Sequence, residues 1–238
     1  MAFGTDNRTL TRAEAEQAQM DMGLRSFMLK VYNYMASGLA LTGIVAFLTA
    51  SSPTMVKLIF GSPLVWVVML APIGLVFFLS FRIAHIKSGT AQAIFWLYAG
   101  LMGLSLASVL LVYTGVSVTR TFFVVAATFG AMSLYGYTTK RDLSGLGNFL
   151  LMGLIGILIA GVVNIFLQSS MMHFVISALG VLIFVGLTAY DTQKVKEMYW
   201  EADEEGMGEK KAIIGALTLY MDFINLFIYM LQFIGDRK

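Results

Sequence analysis

Residues 212–234 read AIIGALTLYMDFINLFIYMLQFI, an apolar run broken near its middle by Asp222. As a helix this run is about 35 Å long, enough to cross a hydrocarbon core of about 30 Å. An ionised carboxylate at that depth costs at least about 2.5–3.5 kcal/mol, so Asp222 requires a reason. Its polar and small neighbours Gly215, Thr218, Asn225, Tyr229 and Gln232 follow at helical steps of three and four, on one stripe with it. A membrane helix with such a stripe turns it toward other helices or water.

The whole chain has the same character. Of its 238 residues 58% are hydrophobic and 13% charged, and the mean hydropathy is +0.78. Soluble domains carry about 25% charged residues, so the chain reads as an all-α polytopic membrane protein solvated mostly by lipid. It has no cysteine, which excludes disulfides, thiolate catalysis and cysteine-ligated metals, and its two histidines supply a metal site poorly. A net charge of +2 gives no reason to expect a nucleic-acid partner.

Seven apolar segments predict spanning helices: Phe27–Ala50, Pro63–Phe81, Thr90–Tyr113, Thr121–Tyr137, Leu146–Leu167, His173–Tyr190 and Ala212–Ile234. The domain plan is a cytoplasmic tail (1–26), a seven-helix domain (27–234) and a short C-terminal tail (235–238). The connections read as brief loops, "TASSPTMVK" among them, except for the charged stretch 194–211. No segment alternates as a strand does, and the tail lacks the compact core and cleavage site of a signal peptide. With the N-terminus cytoplasmic, twelve Lys and Arg fall on that face and four (Lys57, Arg120, Arg237, Lys238) on the other. The bias matches the positive-inside rule. Seven crossings put the C-terminus outside; a re-entrant last segment would return it.

The sixth segment carries a stripe of its own: His173, Ser177, Gly180, Phe184, Thr188 and Asp191. Both stripes are expected to face the bundle interior, each bearing one aspartate, with Thr188, Thr218, Asn225 and Tyr229 as candidates to line a path. Asp191 and Asp222 are open to two readings. Each is a packing residue hydrogen-bonded to neighbours, or the two form a carboxylate pair. Carboxyls within hydrogen-bonding reach cannot both ionise cheaply, so such a pair shares a proton and responds to pH. Fully ionised, it suits a hard cation such as Ca²⁺. Depth speaks against contact: Asp222 lies about 16 Å of helix past Lys211, Asp191 about 4.5 Å before Lys194. The two meet if the sixth helix continues past its lysines, or if 210–215 is not yet at depth.

Elsewhere Arg120 reads as an interfacial anchor, Asn33, Tyr34 and Asn164 as interhelical hydrogen-bonding residues, and "TTKRDLSG" (138–145) as a tight charged turn with a cap. "EADEE" (201–205) reads as a solvated loop.

"GLTAYDTQKVKEMY" (186–199) followed by "ALTLYMDFINLFIYMLQF" (216–233) resembles the signature of the Bax inhibitor-1 family, in the flavour of its bacterial branch. "YNYMASGLALTG" (32–43), "GLSLASVLLVYTG" (103–115) and "SLYGYTTKRDLSGLG" (133–147) extend the likeness over nearly the whole chain after the tail. The resemblance implies a seven-helix bundle with the last helix central, surrounded by the other six, in a bacterial inner membrane. It also implies a pH-sensitive Ca²⁺ leak, with Asp191 and Asp222 as the sensing pair and Arg82 as the candidate latch on Asp191. Calcium is then a permeant ion, and no tightly bound cofactor is expected. Arg82 is equally readable as a positive-inside anchor.

Two other function classes stand beside this one. A membrane interaction protein, modulating a partner such as a membrane protease, would keep both aspartates as structural residues. An intramembrane aspartyl protease needs GxGD around its second aspartate; Asp222 sits in "YMDF", so no enzyme activity is expected.

Overall fold

In hydrocarbon every backbone N–H and C=O must be paired within the segment, and a chain this apolar has helices as its solution. The computed structural model describes residues 12–204 and 206–238, with side chains from Met20 onward except at residue 84. Its helices are α1 (Arg12–Ala50), α2 (Pro53–Phe60), α3 (Leu64–Arg82), α4 (Ser88–Val112), α5 (Gly115–Thr138), α6 (Ser144–Leu167), α7 (Ser170–Glu197) and α8 (Met207–Ile234). All but α2 are long and apolar enough to cross a membrane.

All seven predicted spans are present, several longer than expected. The short fourth segment begins earlier, at Gly115, because the Thr114 side chain caps it by accepting from the Ser117 N–H. The sixth runs on to Glu197, past its lysines, whose long stems keep their charges clear of the apolar core. Residues 1–11 of the predicted tail lie outside the described residues; from Arg12 the chain is already helical and continuous with the first span. The expected loop "TASSPTMVK" instead holds α2. Ser52 accepts from the Met55 N–H and Pro53 occupies the first turn, a Ser-Pro helix start inside a stretch that reads as a loop.

α8 is the centre of the bundle. In its most apolar stretch 61% of residues are buried, against 11–33% in the other six spans. α1, α4, α5 and α7 pack around it, while α3 lies mainly on α4 and α6 on α7. Small residues set the closest approaches. Gly103 of α4 faces Val45 and the Thr42 carbonyl of α1, and Gly136 of α5 faces the Ala189 carbonyl of α7, where any Cβ would collide with backbone.

α8 crosses completely. Its C-terminal tail is tied to the α4–α5 junction by Thr114 N–H donating to the Asp236 carbonyl (3.1 Å) and Lys238 N–H to that of Val112 (2.9 Å). That junction is at the opposite end from Arg82, Lys140 and Lys194, which rules out a re-entrant last segment.

Pro72 is buried in the interior of α3, where it has no N–H to give the Val68 carbonyl one turn earlier. The Ser105 hydroxyl of α4 donates to that carbonyl instead, at 2.8 Å. Ser105→Ala should therefore destabilise the protein by about 1–3 kcal/mol, the cost of stranding a buried acceptor. Pro72→Ala restores the missing N–H and should recover most of that loss. Thermal unfolding in detergent of the single and double variants checks both.

Candidate functional site

α7 and α8 run antiparallel in one register from end to end. Ser177 donates to Gln232 (3.4 Å), Gly180 lies under the Tyr229 ring, Phe184 stacks on the same ring at 5.7 Å, and Gly215 seats Val195. Asp191 and Asp222 fall in that register, and their carboxyls meet within hydrogen-bonding reach. The depth mismatch is resolved at the N-terminal end of α8. Met207–Lys211 forms the first turns of α8, held in place by Lys211 pairing with Asp203 (2.6 Å) and by Tyr34 donating to Glu209 (3.1 Å). Those lysines thus sit at the mouth, while Asp222 is halfway along α8.

Asp222 is 5% exposed, and among the described residues no N–H or hydroxyl donor reaches its Oδ2. Asp191 is half-buried, with Lys194 as the cation acting on it. Two carboxyls can hydrogen-bond only if one carries a proton, so this contact holds in the singly protonated pair. No third Asp, Glu or His joins them among the described residues.

The other candidates divide. Thr188 is fully buried and donates to the Phe184 carbonyl (2.7 Å); Thr218 donates to the Ile214 carbonyl (3.1 Å). Tyr229 faces α7. Asn225 does not: its amide donates to the Met221 carbonyl (2.9 Å), and it lines a cavity of about 290 Å³ with Pro72 and Tyr98, toward α3 and α4. Arg82 is exposed at the end of α3, forms no ion pair with Asp191, and sits on a helix that packs mainly on α4.

Other residues that hold Asp191 in place were missed. The Thr192 hydroxyl donates to the Thr188 carbonyl (2.7 Å), so it must accept from Ser133 (3.0 Å), which in turn must accept from Tyr32 (2.6 Å). This directed chain ties the Asp191 turn of α7 to α5 and α1. Gln193 grips the α5–α6 turn, accepting from the Leu143 N–H (2.9 Å) and donating to the Arg141 carbonyl (2.8 Å). The available signal was the buried face Thr188–Thr192–Val195, one turn apart, but Ser133 and Tyr32 are distant in sequence. Asp142 accepts from the Ser144 N–H, which holds its carboxyl below the usual range. What it contributes is thus present above the ordinary carboxylate pKa of about 4 and lost only in acid, so it is not a sensor near neutrality.

Residues 24–238 match the family model described as inhibitor of apoptosis-promoting Bax1. The chain is 48% identical over 231 residues to the protein RP147 of Rickettsia prowazekii, covering 97% of this chain and 98% of that one. It is 47% identical over 219 residues to the inner membrane protein YbhL of Escherichia coli K12, covering 91% and 94%. A membrane protein of Streptococcus pyogenes, SpyM3_0260, is 36% identical over 219 residues, covering 91% and 95%.

Ser133→Ala breaks the hydroxyl chain in the middle and strands Tyr32. It should cost about 1–3 kcal/mol in thermal unfolding, against about 0.5–1.5 kcal/mol for Tyr32→Phe, which removes only the terminal donor.

Proposed function

Because the chain belongs to the Bax inhibitor-1 family and sets two carboxyls face to face on its central helix pair, we propose that it is a pH-gated leak for Ca²⁺ in a bacterial inner membrane. The N-terminus is cytoplasmic by the Lys and Arg distribution, and the location follows the relative named as an inner membrane protein. The observation that carries the reading is the buried Asp191–Asp222 contact: an intramembrane carboxyl pair has little structural use that an amide or hydroxyl would not serve at lower cost.

The mechanism turns on one proton. Shared, it joins α7 to α8 across the path and leaves Asp222 closed off from water. Released, it leaves two like charges in contact at low dielectric, and the contact must widen or accept a cation. Ca²⁺ suits the widened site as cargo rather than resident metal. Two carboxylates fall short of the six to eight oxygens it takes, so hydroxyls, carbonyls and water would complete a passing shell. Thr188 and Thr218 sit on the same two helices with oxygens still able to accept. Lys194 keeps a cation beside Asp191 in the closed form. Arg82 as a latch belongs to a different state of the bundle, reached only if α3 moves toward α7.

Ca²⁺ influx into dye-loaded proteoliposomes across about pH 5–8 tests this, the physiological range over which a proton-linked gate would have to respond. Parent protein should show a pH-dependent flux, and Asp222→Asn and Asp191→Asn should each flatten it. Asn variants that respond as the parent does would sink the gate, and no flux above empty liposomes would sink the leak.

A further inference from the structure

α1 and α5 both pack on α8 and meet each other at the Tyr32–Ser133 hydrogen bond, with a groove between them on the cytoplasmic half of the bundle. Its cavity is about 450 Å³, walled by Arg25, Leu29 and Tyr32 of α1 and by Phe129, Gly130 and Tyr137 of α5. The groove has a chemical polarity along its length. At the cytoplasmic end Arg25 is exposed and has no ion-pair partner among the described residues. Beside the opposite wall, the Lys196 ammonium of α7 sits over the ring of the wall residue Tyr137 at 5.4 Å and donates to the Tyr137 carbonyl at 3.0 Å, which uses one of its three protons. Toward the bilayer centre the walls are apolar, with Leu29 and Leu134 more than half exposed.

We infer that this groove is a binding site for one anionic phospholipid, its phosphate between Arg25 and Lys196 and the upper part of an acyl chain along Leu29, Phe129 and Gly130. The charge at one end and the apolar walls at the other fit the two ends of that molecule and of no soluble anion. From Arg25 to Tyr32 the groove follows about 10 Å of helix, the depth over which a lipid passes from headgroup to chain. Tyr32, which heads the hydroxyl chain to Thr192, forms part of the wall, so the lipid touches a residue linked to the Asp191 turn. The site stands independently of the proposed Ca²⁺ leak.

Native mass spectrometry of the full chain in detergent, titrated with phosphatidylglycerol or phosphatidylcholine of the same chains, tests the site. Phosphatidylglycerol should be retained as a one-to-one adduct in preference to phosphatidylcholine. Arg25→Gln with Lys196→Gln should lower its occupancy by about tenfold or more and erase the preference, since both cations that attract the phosphate are then gone. Gly130→Phe places a ring where a Cβ meets open space, so the fold tolerates it, and it should lower retention of both lipids. Equal retention of the two lipids by the parent, or a preference unchanged by removing both cations, would overturn the proposal. So would retention that Gly130→Phe leaves intact.

Discussion

A carboxyl halfway along a helix wrapped by four others has no water to solvate it and no lipid that will. Whatever meets Asp222 must come from the protein, and what meets it is the carboxyl of Asp191 on α7. That requirement sets the register of the two helices. Gly180 under Tyr229 and Gly215 beside Val195 let α7 and α8 approach closely along their whole length, and a shift of one residue on either would carry its aspartate off the shared face. α1, α4 and α5 then close on the faces of α8 that α7 leaves open. The centre of the bundle is thus arranged around two oxygen-bearing groups that only tolerate each other with a proton between them.

The surrounding polar groups show how thoroughly the rest of the interior is satisfied. Thr42 donates to the Ala99 carbonyl and accepts from Tyr220, joining three helices in two bonds of 2.8 and 2.7 Å. Ser105 repairs the gap that Pro72 leaves in α3. Tyr32, Ser133 and Thr192 pass their hydrogens in one direction to the Thr188 carbonyl. Against that background Asp222 Oδ2, with no N–H or hydroxyl donor among the described residues, is an exception on a buried face of the central helix. Unpaired buried acceptors are costly, so one retained there points to a site rather than a scaffold.

The same hydroxyl chain gives the carboxyl pair a mechanical connection to the bundle surface. Its three bonds fix the turn of α7 that carries Asp191 against α5 and α1, and its first member lies in the wall of the α1–α5 groove. Gln193 anchors the neighbouring residue to the α5–α6 turn. The turn that carries Asp191 is therefore attached to α1 and α5 by hydrogen bonds as well as by packing. On the other side Lys194 holds positive charge close to the pair, while Arg82 stays outside on α3.

Hydrophobic length and period carry local information, and the sequence by itself determined what those can encode. It specified seven spans, the polar stripes of the sixth and seventh, and the two aspartates as the residues needing explanation. It also placed Thr188, Thr218 and Tyr229 on faces turned inward. α2 escaped because Ser-Pro both breaks one helix and starts the next, and only the downstream packing of Ile59 distinguishes the two. The spacing alone puts Asn225 on the stripe, yet a stripe covers an arc wide enough for one member to face α3 and α4 while Asp222, Tyr229 and Gln232 face α7. Whether Asp191 and Asp222 touch was left to the tertiary structure, because depth depends on where α8 begins relative to the end of α7. The Lys211–Asp203 and Tyr34–Glu209 contacts decide that start. The support from Ser133 and Tyr32 was likewise beyond the sequence, since these residues lie 59 and 101 positions from their partners and meet only when three helices are packed together.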